Sequence, residues 1–339
     1  MKKVILLCMV LFLIFNAGCT KRGEAVLDPS AEEQQKVVEE QEEQAEQKDG
    51  PEELPVLAEP ELPGAVMVMV DNYWKARPQS GLDKADIVYE IIAEMGITRY
   101  MGIFYHESAD EIGPVRSARY YFVQLACGYD LPLAHAGGSA EALNMLVELK
   151  IKDLDEIYNA GPYFWRDKAR KMPHNLYTNT DKLIKGAQTK KYTTKPLKDF
   201  PWAKTWEGID ASKIGLDYSS GNYDYIVTWN YLDGRYRRNI NGEPHVMLDG
   251  AAIAADNLMV LTMKTKGIVK EGVVLSEVEI IGEGQASYFI EGKRIDGKWS
   301  KPKADTEIEF FDNMGKKMSF KPGKTWIQVI PDISKLQVS

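Results

Sequence analysis

Residues 65–106, AVMVMVDNYWKARPQSGLDKADIVYEIIAEMGITRYMGIFYH, decide the architecture of the first half of the chain. Residues 65–72 form an apolar run closed by Asp71 and Asn72, the pattern of a buried strand that ends in a polar turn. Residues 85–94 and 98–106 predict two further strands joined through Gly96. Downstream, GPVRSARYYFVQLACGYD (113–130) predicts a turn, a cap at Ser117 and a helix over 118–127. LPLAHAGG (131–138) predicts a strand stopping at a double glycine, and SAEALNMLVEL (139–149) a helix capped by Ser139. A further helix is expected near Thr180–Thr189. Strands interleaved with helices give an α/β domain over 62–205.

Beyond residue 205 the pattern changes. YDYIVTWNY (223–231), RYRRNINGEPHVML (235–248), NLMVLTMKT (257–265), LSEVEIIG (275–282), GQASYFIEGKRIDGKWSK (284–301), TEIEFFD (306–312) and GKTWIQVI (323–330) are short strand candidates. Asn241-Gly242, Asp296-Gly297 and Asp312–Gly315 are turn signals between them. The expected fold is therefore an α/β N-terminal domain followed by a mainly β C-terminal domain over 218–335. Tyr225, Trp229 and Tyr231 should cover the sheet, and Trp299 and Trp326 should lie in the core or between domains.

The other end of the chain sets the location. Lys2 and Lys3 precede a twelve-residue apolar run, Val4–Phe15, too short to span a bilayer as a helix. Asn16, Ala17, Gly18 and Cys19 follow, resembling the processing site of a bacterial lipoprotein, although Asn16 stands where an aliphatic residue is usual. That resemblance implies a signal peptide over 1–18 and a Cys19 carrying a diacylglyceryl group with palmitate-type chains, which tethers the chain to the outer face of the cell membrane. Residues 19–61 read as an acidic, extended linker: 24–61 hold fourteen Asp or Glu and two Lys, a net of −12. The remainder, 62–339, balances thirty-six acidic against thirty-six basic residues, so the net charge of −8 belongs to the leading segment. Nucleic acid is excluded as an expected partner, for no basic domain or nucleic-acid motif is present. With Cys8 in the signal and Cys19 lipidated, Cys127 has no disulfide partner and reads as a small buried hydrophobe.

Long stretches also resemble one family. DNYWKARPQSGLDKADIVYE (71–90), GITRYMGIFYHE (96–107), IGPVRSARYYFVQLACGYD (112–130), AHAGGS (134–139), YFWRDKARKMPHNLYT (163–178), NGEPH (241–245) and KPGKTWIQV (321–329) are similar to the bacterial lipoproteins typified by YerB. The resemblance implies two domains of unassigned function and an extracytoplasmic lipoprotein. It carries over no reaction and no catalytic residue.

The chemistry must come from the residues. Arg116 and Arg119, three apart at the start of a predicted helix, would share one side of its first turns and run against the helix dipole unless an anion sits there. Asp110, Glu111 or Asp130 could instead neutralise them. The basic, aromatic stretch 163–178 offers Arg166 and Arg170 for a phosphate, His174 and Asn175 for hydrogen bonding, and Asp167 as an ion-pair partner. His135, followed by Gly137, Gly138 and Ser139, ends a strand where backbone N–H groups are accessible. Together with Arg99 and His106 these would line one cleft, with Ser117 supporting it and His135 or His174 as acid or base. The four histidines are scattered and no metal-ligand spacing occurs, so no metal or other cofactor is expected. The preferred reading is a binding module for an anionic envelope ligand: a cell-wall precursor, glycan or peptide. An envelope hydrolase or transferase acting on a phosphate- or carboxylate-bearing substrate is the first alternative, and a scaffold for an envelope protein the second.

Overall fold

Every residue of β1 (Val66–Asp71) is buried, and its two faces feed two separate cores. The computed structural model describes residues 59–339 apart from Asn222 and Glu271 and the side chains of Lys270 and Val273. The signal segment, Cys19 and most of the expected linker lie outside the described residues. Val66, Val68 and Val70 face one apolar cluster, whereas Met67 and Met69 face the other, as the two-residue period of a strand demands. A strand buried on both sides needs layers above and below it, which is why the apolar run is nearly continuous.

β2 (Ile87–Glu94) and β3 (Ile97–Phe104) form a hairpin through Met95 and Gly96, both at positive φ. β3 lies antiparallel to β1, with Asp71 opposite Arg99 and Val66 opposite Phe104. β4 (Leu133–His135) and β5 (Asp153–Asp155) add parallel strands beyond β1. Three α-helices occur among the described residues: α1 (Tyr120–Tyr129), α2 (Ala140–Glu148) and α3 (Thr180–Thr189). Ser139 Oγ caps α2 by accepting the Ala142 N–H at 3.2 Å, and Asn179 caps α3 by accepting the Lys182 N–H at 2.8 Å.

The helix at 120–129 departs from expectation. Ser117 does not cap it; Arg119 occupies the cap position, extended and without a side-chain cap bond. The cause lies upstream, where residues 115–118 are held extended. The Val115 N–H donates to the Leu176 carbonyl at 2.6 Å, the Arg116 N–H to Met69 at 3.0 Å and the Ala118 N–H to Gly137 at 2.9 Å. Arg116 and Arg119 therefore do not share a first helical turn.

After residue 212 come β6 (Lys213–Asp217), β7 (Ile226–Leu232), β8 (Arg235–Ile240), β9 (Asn257–Thr262), β10 (Thr265–Lys270), β11 (Val273–Val278), β12 (Gly282–Ile290), β13 (Lys293–Lys301), β14 (Glu309–Asp312), β15 (Thr325–Ile330) and β16 (Leu336–Val338). The main sheet runs β14-β13-β12-β9-β15-β2-β3-β1-β4-β5. β15 is inserted parallel to both β9 and β2, with Glu90 opposite Gln328, so strands from the two halves of the chain share one ladder. A smaller sheet, β8-β7-β6-β16, covers one face of the large one together with α3, and α1 and α2 cover the other. The chain is thus mostly β. The expected α/β character of the first half survives only around β1, β4 and β5, where α2 makes the crossover between parallel strands.

Asn241 and Gly242 take positive φ at the hairpin turn expected there. Asp296-Gly297 does not turn. Gly297 sits inside β13, opposite Ala286 and Asp312, and the hairpin instead closes at Glu291-Gly292. A Cβ on Gly297 would lie 2.0 Å from the Phe311 carbonyl oxygen, so this glycine serves close strand approach. Glu61, the last residue of the expected linker, bonds to the folded part: its N–H donates to the His106 carbonyl and its carboxylate accepts from Ser108 at 2.6 and 2.7 Å.

The two sheets meet over a buried ion pair. Glu90 of β2 and Arg238 of β8 lie 2.8 Å apart, both with fully buried side chains. Glu90 also accepts from Tyr225 Oη at 2.6 Å, Thr98 Oγ1 at 2.8 Å, Gln328 Nε2 at 2.9 Å and Trp326 Nε1 at 3.2 Å. Arg238 lies against the rings of Tyr100, Trp229 and Trp326. Removing one member strands the other charge away from water. Glu90→Ala should lower the unfolding free energy by about 3–5 kcal/mol in guanidinium titrations, and the Glu90→Gln/Arg238→Met pair should lose less than the sum of its single substitutions. A single-variant loss within about 0.5 kcal/mol would show that the pair does not hold the sheets together.

Candidate functional site

The C-terminal end of β1 delivers Asp71, 2% exposed, to the floor of a cleft of about 760 Å³. Asp71 Oδ1 accepts the Tyr73 N–H at 2.9 Å, the Asx turn that redirects the chain after the strand. Asp71 Oδ2 lies 2.6 Å from His174 Nδ1. The Arg116 Nε lies 3.2 Å from the same oxygen, although its N–H is not aimed along a hydrogen bond. Burial alone would push the Asp71 carboxyl up; the hydrogen bond from His174 and the charges of Arg116 and Arg99 outweigh it and hold the group below its ordinary value of 3.8. An ionised carboxylate only accepts, so His174 Nδ1 is the donor and Nε2 of a neutral ring carries the free lone pair.

His174 is held from three directions. Its N–H donates to the Lys171 carbonyl at 3.0 Å, Asp71 holds its ring edge, and Tyr73 stacks on its face at 5.0 Å and 14°. Among the described residues no group hydrogen-bonds Nε2, and the residue lines the cleft. Arg116 is placed by its backbone, donating to Met69 and accepting from Ala136 at 3.1 Å. Its two terminal amino groups have no hydrogen-bond partner among the described residues. Lys75 and Lys171 line the same cleft, together with the exposed Met95 and Met172.

Glu94 closes the cleft on the β2 side and takes two arginines, Arg99 Nη2 at 2.9 Å and Arg119 Nη2. Burial would raise its carboxyl, but Arg99 and Arg119 prevail and hold it low. Arg99, 2% exposed, also donates to the Ser117 carbonyl at 2.9 Å.

The other residues singled out from the sequence are dispersed. Arg166 bonds Glu156 at 3.1 and 3.2 Å and Asn175 at 3.2 Å. Arg170 lines the cleft, but its guanidinium is held by the Ala76 and Pro78 carbonyls at 2.9 and 2.6 Å. Asn175 is buried and donates to the Asp167 carbonyl at 3.1 Å, while Asp167 accepts the Ala169 N–H at 2.8 Å. These bonds shape the loop that presents His174. His106 lies beyond the Phe104 end of β3, at the opposite end of the strand from Arg99, with Nδ1 2.8 Å from Asp86. Cys127 is half-buried, and burial pushes its thiol up.

His135 stands apart from the cleft. Its Nε2 lies 2.7 Å from Asp153 Oδ1 and its Nδ1 2.9 Å from the Gly137 carbonyl. Burial would lower its pKa, but the Asp153 hydrogen bond and the charges of Asp153 and Asp155 raise it. His135, Asp153 and Asp155 bring potential ligand atoms within 4.8 Å of one another, yet both ring nitrogens already have partners. Asp155 Oδ1 accepts the Gly137 N–H at 2.8 Å, and Gly138 bridges Ala118. This cluster fixes the β4–β5 edge, with Ser139 starting α2 beside it.

Asp71, Tyr73 and Lys75 went unread in the sequence. The available signal was the Asp-Asn pair at the end of a buried strand, where strand-end side chains line crevices.

Two family models match the chain: "Protein of unknown function (DUF3048) N-terminal domain" over residues 55–193 and its C-terminal domain over residues 214–327. The chain belongs to this family. It is 34% identical over 281 residues, 81% of this chain and 83% of the relative, to a protein of Bacillus subtilis strain 168 named "Putative lipoprotein YerB". A crystal structure of the YerB protein from Bacillus subtilis matches with a TM-score of 0.74 and 32% identity, covering 81% of this chain and 93% of that one. Among the described residues no helix is long and apolar enough to cross a membrane.

Because the folded-state pKa of Asp71 is depressed, its ionised form stabilises the fold above the ordinary value of 3.8, and that contribution is lost as pH falls through the lower folded value. The stability gap between the wild type and Asp71→Asn should therefore be widest near neutrality and shrink below about pH 4. Urea midpoints across pH 2–7 measure it; a gap independent of pH would remove the ionised Asp71 from the account.

Proposed function

We propose that this chain is an extracytoplasmic lipoprotein, tethered through Cys19, whose cleft binds a phosphate or carboxylate of an envelope ligand. One observation carries the reading: Arg116 reaches the cleft with both terminal amino groups unpartnered among the described residues, while Arg99 and Arg119 are taken up by Glu94. A guanidinium fork with its outer edge free matches two oxygens of a phosphate or carboxylate. Lys75 and Lys171 add positive charge on the same side. The exposed Met95 and Met172 offer apolar surface for the organic part of such a ligand. The anion site thus consists of Arg116, Lys75 and Lys171, with Arg99, Arg119, Arg166 and Arg170 holding the surrounding carboxylates and loops. A cell-wall precursor or an anionic glycan fits this arrangement. The neutral balance of residues 62–339 makes the positive charge local to the cleft.

Phosphate titration monitored by tryptophan fluorescence tests the site, since Trp74 is 51% exposed and its ring lies against Tyr73 and Lys75, which line the cleft. Arg116→Ala should weaken binding about 10- to 100-fold, the worth of a charge-assisted hydrogen bond or two. Arg237→Ala, exposed on β8 and paired with Asp233 away from the cleft lining, should leave it nearly unchanged. Equal affinity of Arg116→Ala and wild type would end the anion reading. The tether is tested separately by fractionating cells that express Cys19→Ser: the protein should move from the membrane fraction to the soluble one, and retention would refute the lipid anchor.

A further inference from the structure

We propose that the Asp71–His174 pair is a general base and that the cleft hydrolyses phosphodiesters, an inference that rests on the anion-binding reading above. Among the described residues, four histidines face four different environments, and only one has the arrangement of an acid–base catalyst. His245 accepts from Arg238 Nη1 at 2.7 Å and donates to Gln79 at 3.0 Å, so both its nitrogens are used. Both nitrogens of His135 are used as well. His106 pairs with Asp86 in the same way that His174 pairs with Asp71, but it does not line the cleft that holds His174 and Arg116. His174 alone joins a carboxylate on Nδ1, an unpartnered Nε2 and an open cleft shared with an unpartnered guanidinium edge. Its ring is fixed by Asp71 on one edge and Tyr73 on one face, which is the preorganisation that proton transfer requires.

The substrate class follows from what surrounds the base. Among the described residues no Ser, Thr or Cys lines the cleft, and the Tyr73 hydroxyl there belongs to the ring that stacks on His174, so water is the nucleophile of the proposed step. The charge stabiliser is a guanidinium rather than a pair of backbone N–H groups, which suits the equatorial oxygens of a phosphoryl centre. In the step, a water oxygen forms a bond to phosphorus while its proton passes to His174 Nε2. The phosphorus–oxygen bond to the departing alkoxide breaks on the opposite side of phosphorus, where that alkoxide takes a proton from solvent water, and Nε2 returns its proton to solvent. Diester and water give monoester and alcohol, with no change of oxidation state. Asp71 stays ionised and stabilises the transient imidazolium, acting as a positioning residue. Arg116 bears on the charge that builds on the non-bridging oxygens.

The test is release of 4-nitrophenol from bis(4-nitrophenyl) phosphate by the full chain, with phosphate affinity measured on the same preparations. The wild type should turn the diester over above the buffer rate. His174→Gln should lose about 100-fold or more in kcat with KM within about threefold. Asp71→Asn should lose kcat in the same direction, Arg116→Ala should lose kcat and raise KM, and His106→Gln should match the wild type. If the wild type binds phosphate but releases nitrophenol no faster than buffer, the catalytic proposal is overturned while the binding reading stands. Absence of both overturns both. A His174→Gln protein with the wild-type rate also overturns the proposal. Protection of wild-type His174 from carbethoxylation by inorganic phosphate, mapped by mass spectrometry, is the expected companion result that needs no variant to fold; labelling of His174 indifferent to phosphate would count against it.

Discussion

The buried pair of Glu90 and Arg238 is the constraint on which the rest of the structure depends. Two charges removed from water cost several kcal/mol each unless their geometry and surroundings compensate. Here the compensation is drawn from every layer. Gln328 and Trp326 come from β15, Thr98 from β3, Tyr225 from the start of β7, and the guanidinium itself from β8. Strands that are 236 and 238 residues apart in sequence from Glu90 can satisfy it only if β15 lies beside β2 and the small sheet stacks on the large one. A registry shift of one residue would turn Glu90 to the helical face and leave Arg238 buried without a counter-charge. The pair therefore selects one arrangement of the two halves more than it adds net stability, which burial of the apolar clusters supplies.

The same network sets the floor of the cleft. Asn72, adjacent to Asp71, donates to Tyr225 Oη at 2.5 Å and to Thr98 Oγ1 at 2.6 Å, and accepts from Arg77 Nε at 3.1 Å. Gln79 accepts from His245 at 3.0 Å and donates to the Asp71 carbonyl at 3.0 Å. His245 must accept on Nδ1 because its partner Arg238 can only donate, and burial with the charges of Arg238 and Arg77 keeps it neutral. A continuous set of hydrogen bonds thus runs from the ion pair through His245 and Gln79 to the backbone of Asp71. The carboxylate that orients His174 is consequently held by the core rather than by the loop it serves, the support that a precise site requires.

Most of the fold was legible locally, whereas the site was legible only in part, and the difference is one of sequence distance. β1, β2, β3, α2 and α3 stand where apolar period and capping residues place them, because those signals act within a turn or a strand. Gly297 misled because a glycine needed for close strand approach looks like a turn glycine until its neighbour Phe311 is known. Arg116 and Arg119 were assigned to a helix because Ser117 is a good cap, but three backbone bonds to residues outside the segment keep 115–118 extended. His174 and Asp71 are 103 residues apart, and nothing local announces their meeting. Glu90 stands in the middle of the apolar run IVYEIIA, a charge that a buried strand tolerates only with a partner. RYRRNI offered three arginines for that role, and the alternation of exposure along β8 is what singles out Arg238.

Charge balance around the cleft gives the final reason to regard it as a site. Arg99, Arg116 and Arg119 converge on a region that supplies two carboxylates, Asp71 and Glu94. Glu94 is divided between two arginines, and Asp71 between Arg116 and His174, so the cations are under-compensated before Lys75 and Lys171 are considered. Burial pulls the Arg116 guanidinium down despite the opposing pull of Asp71. A fold optimised for stability alone would place a third carboxylate there or withdraw Arg116 fully to the surface, since a partly buried charge with incomplete compensation carries a desolvation cost. Retaining it is the kind of local violation expected where binding sets the requirement. An anion entering the cleft completes the set, and the water-exposed edge of His174 lies in the same cleft to act on what that anion carries.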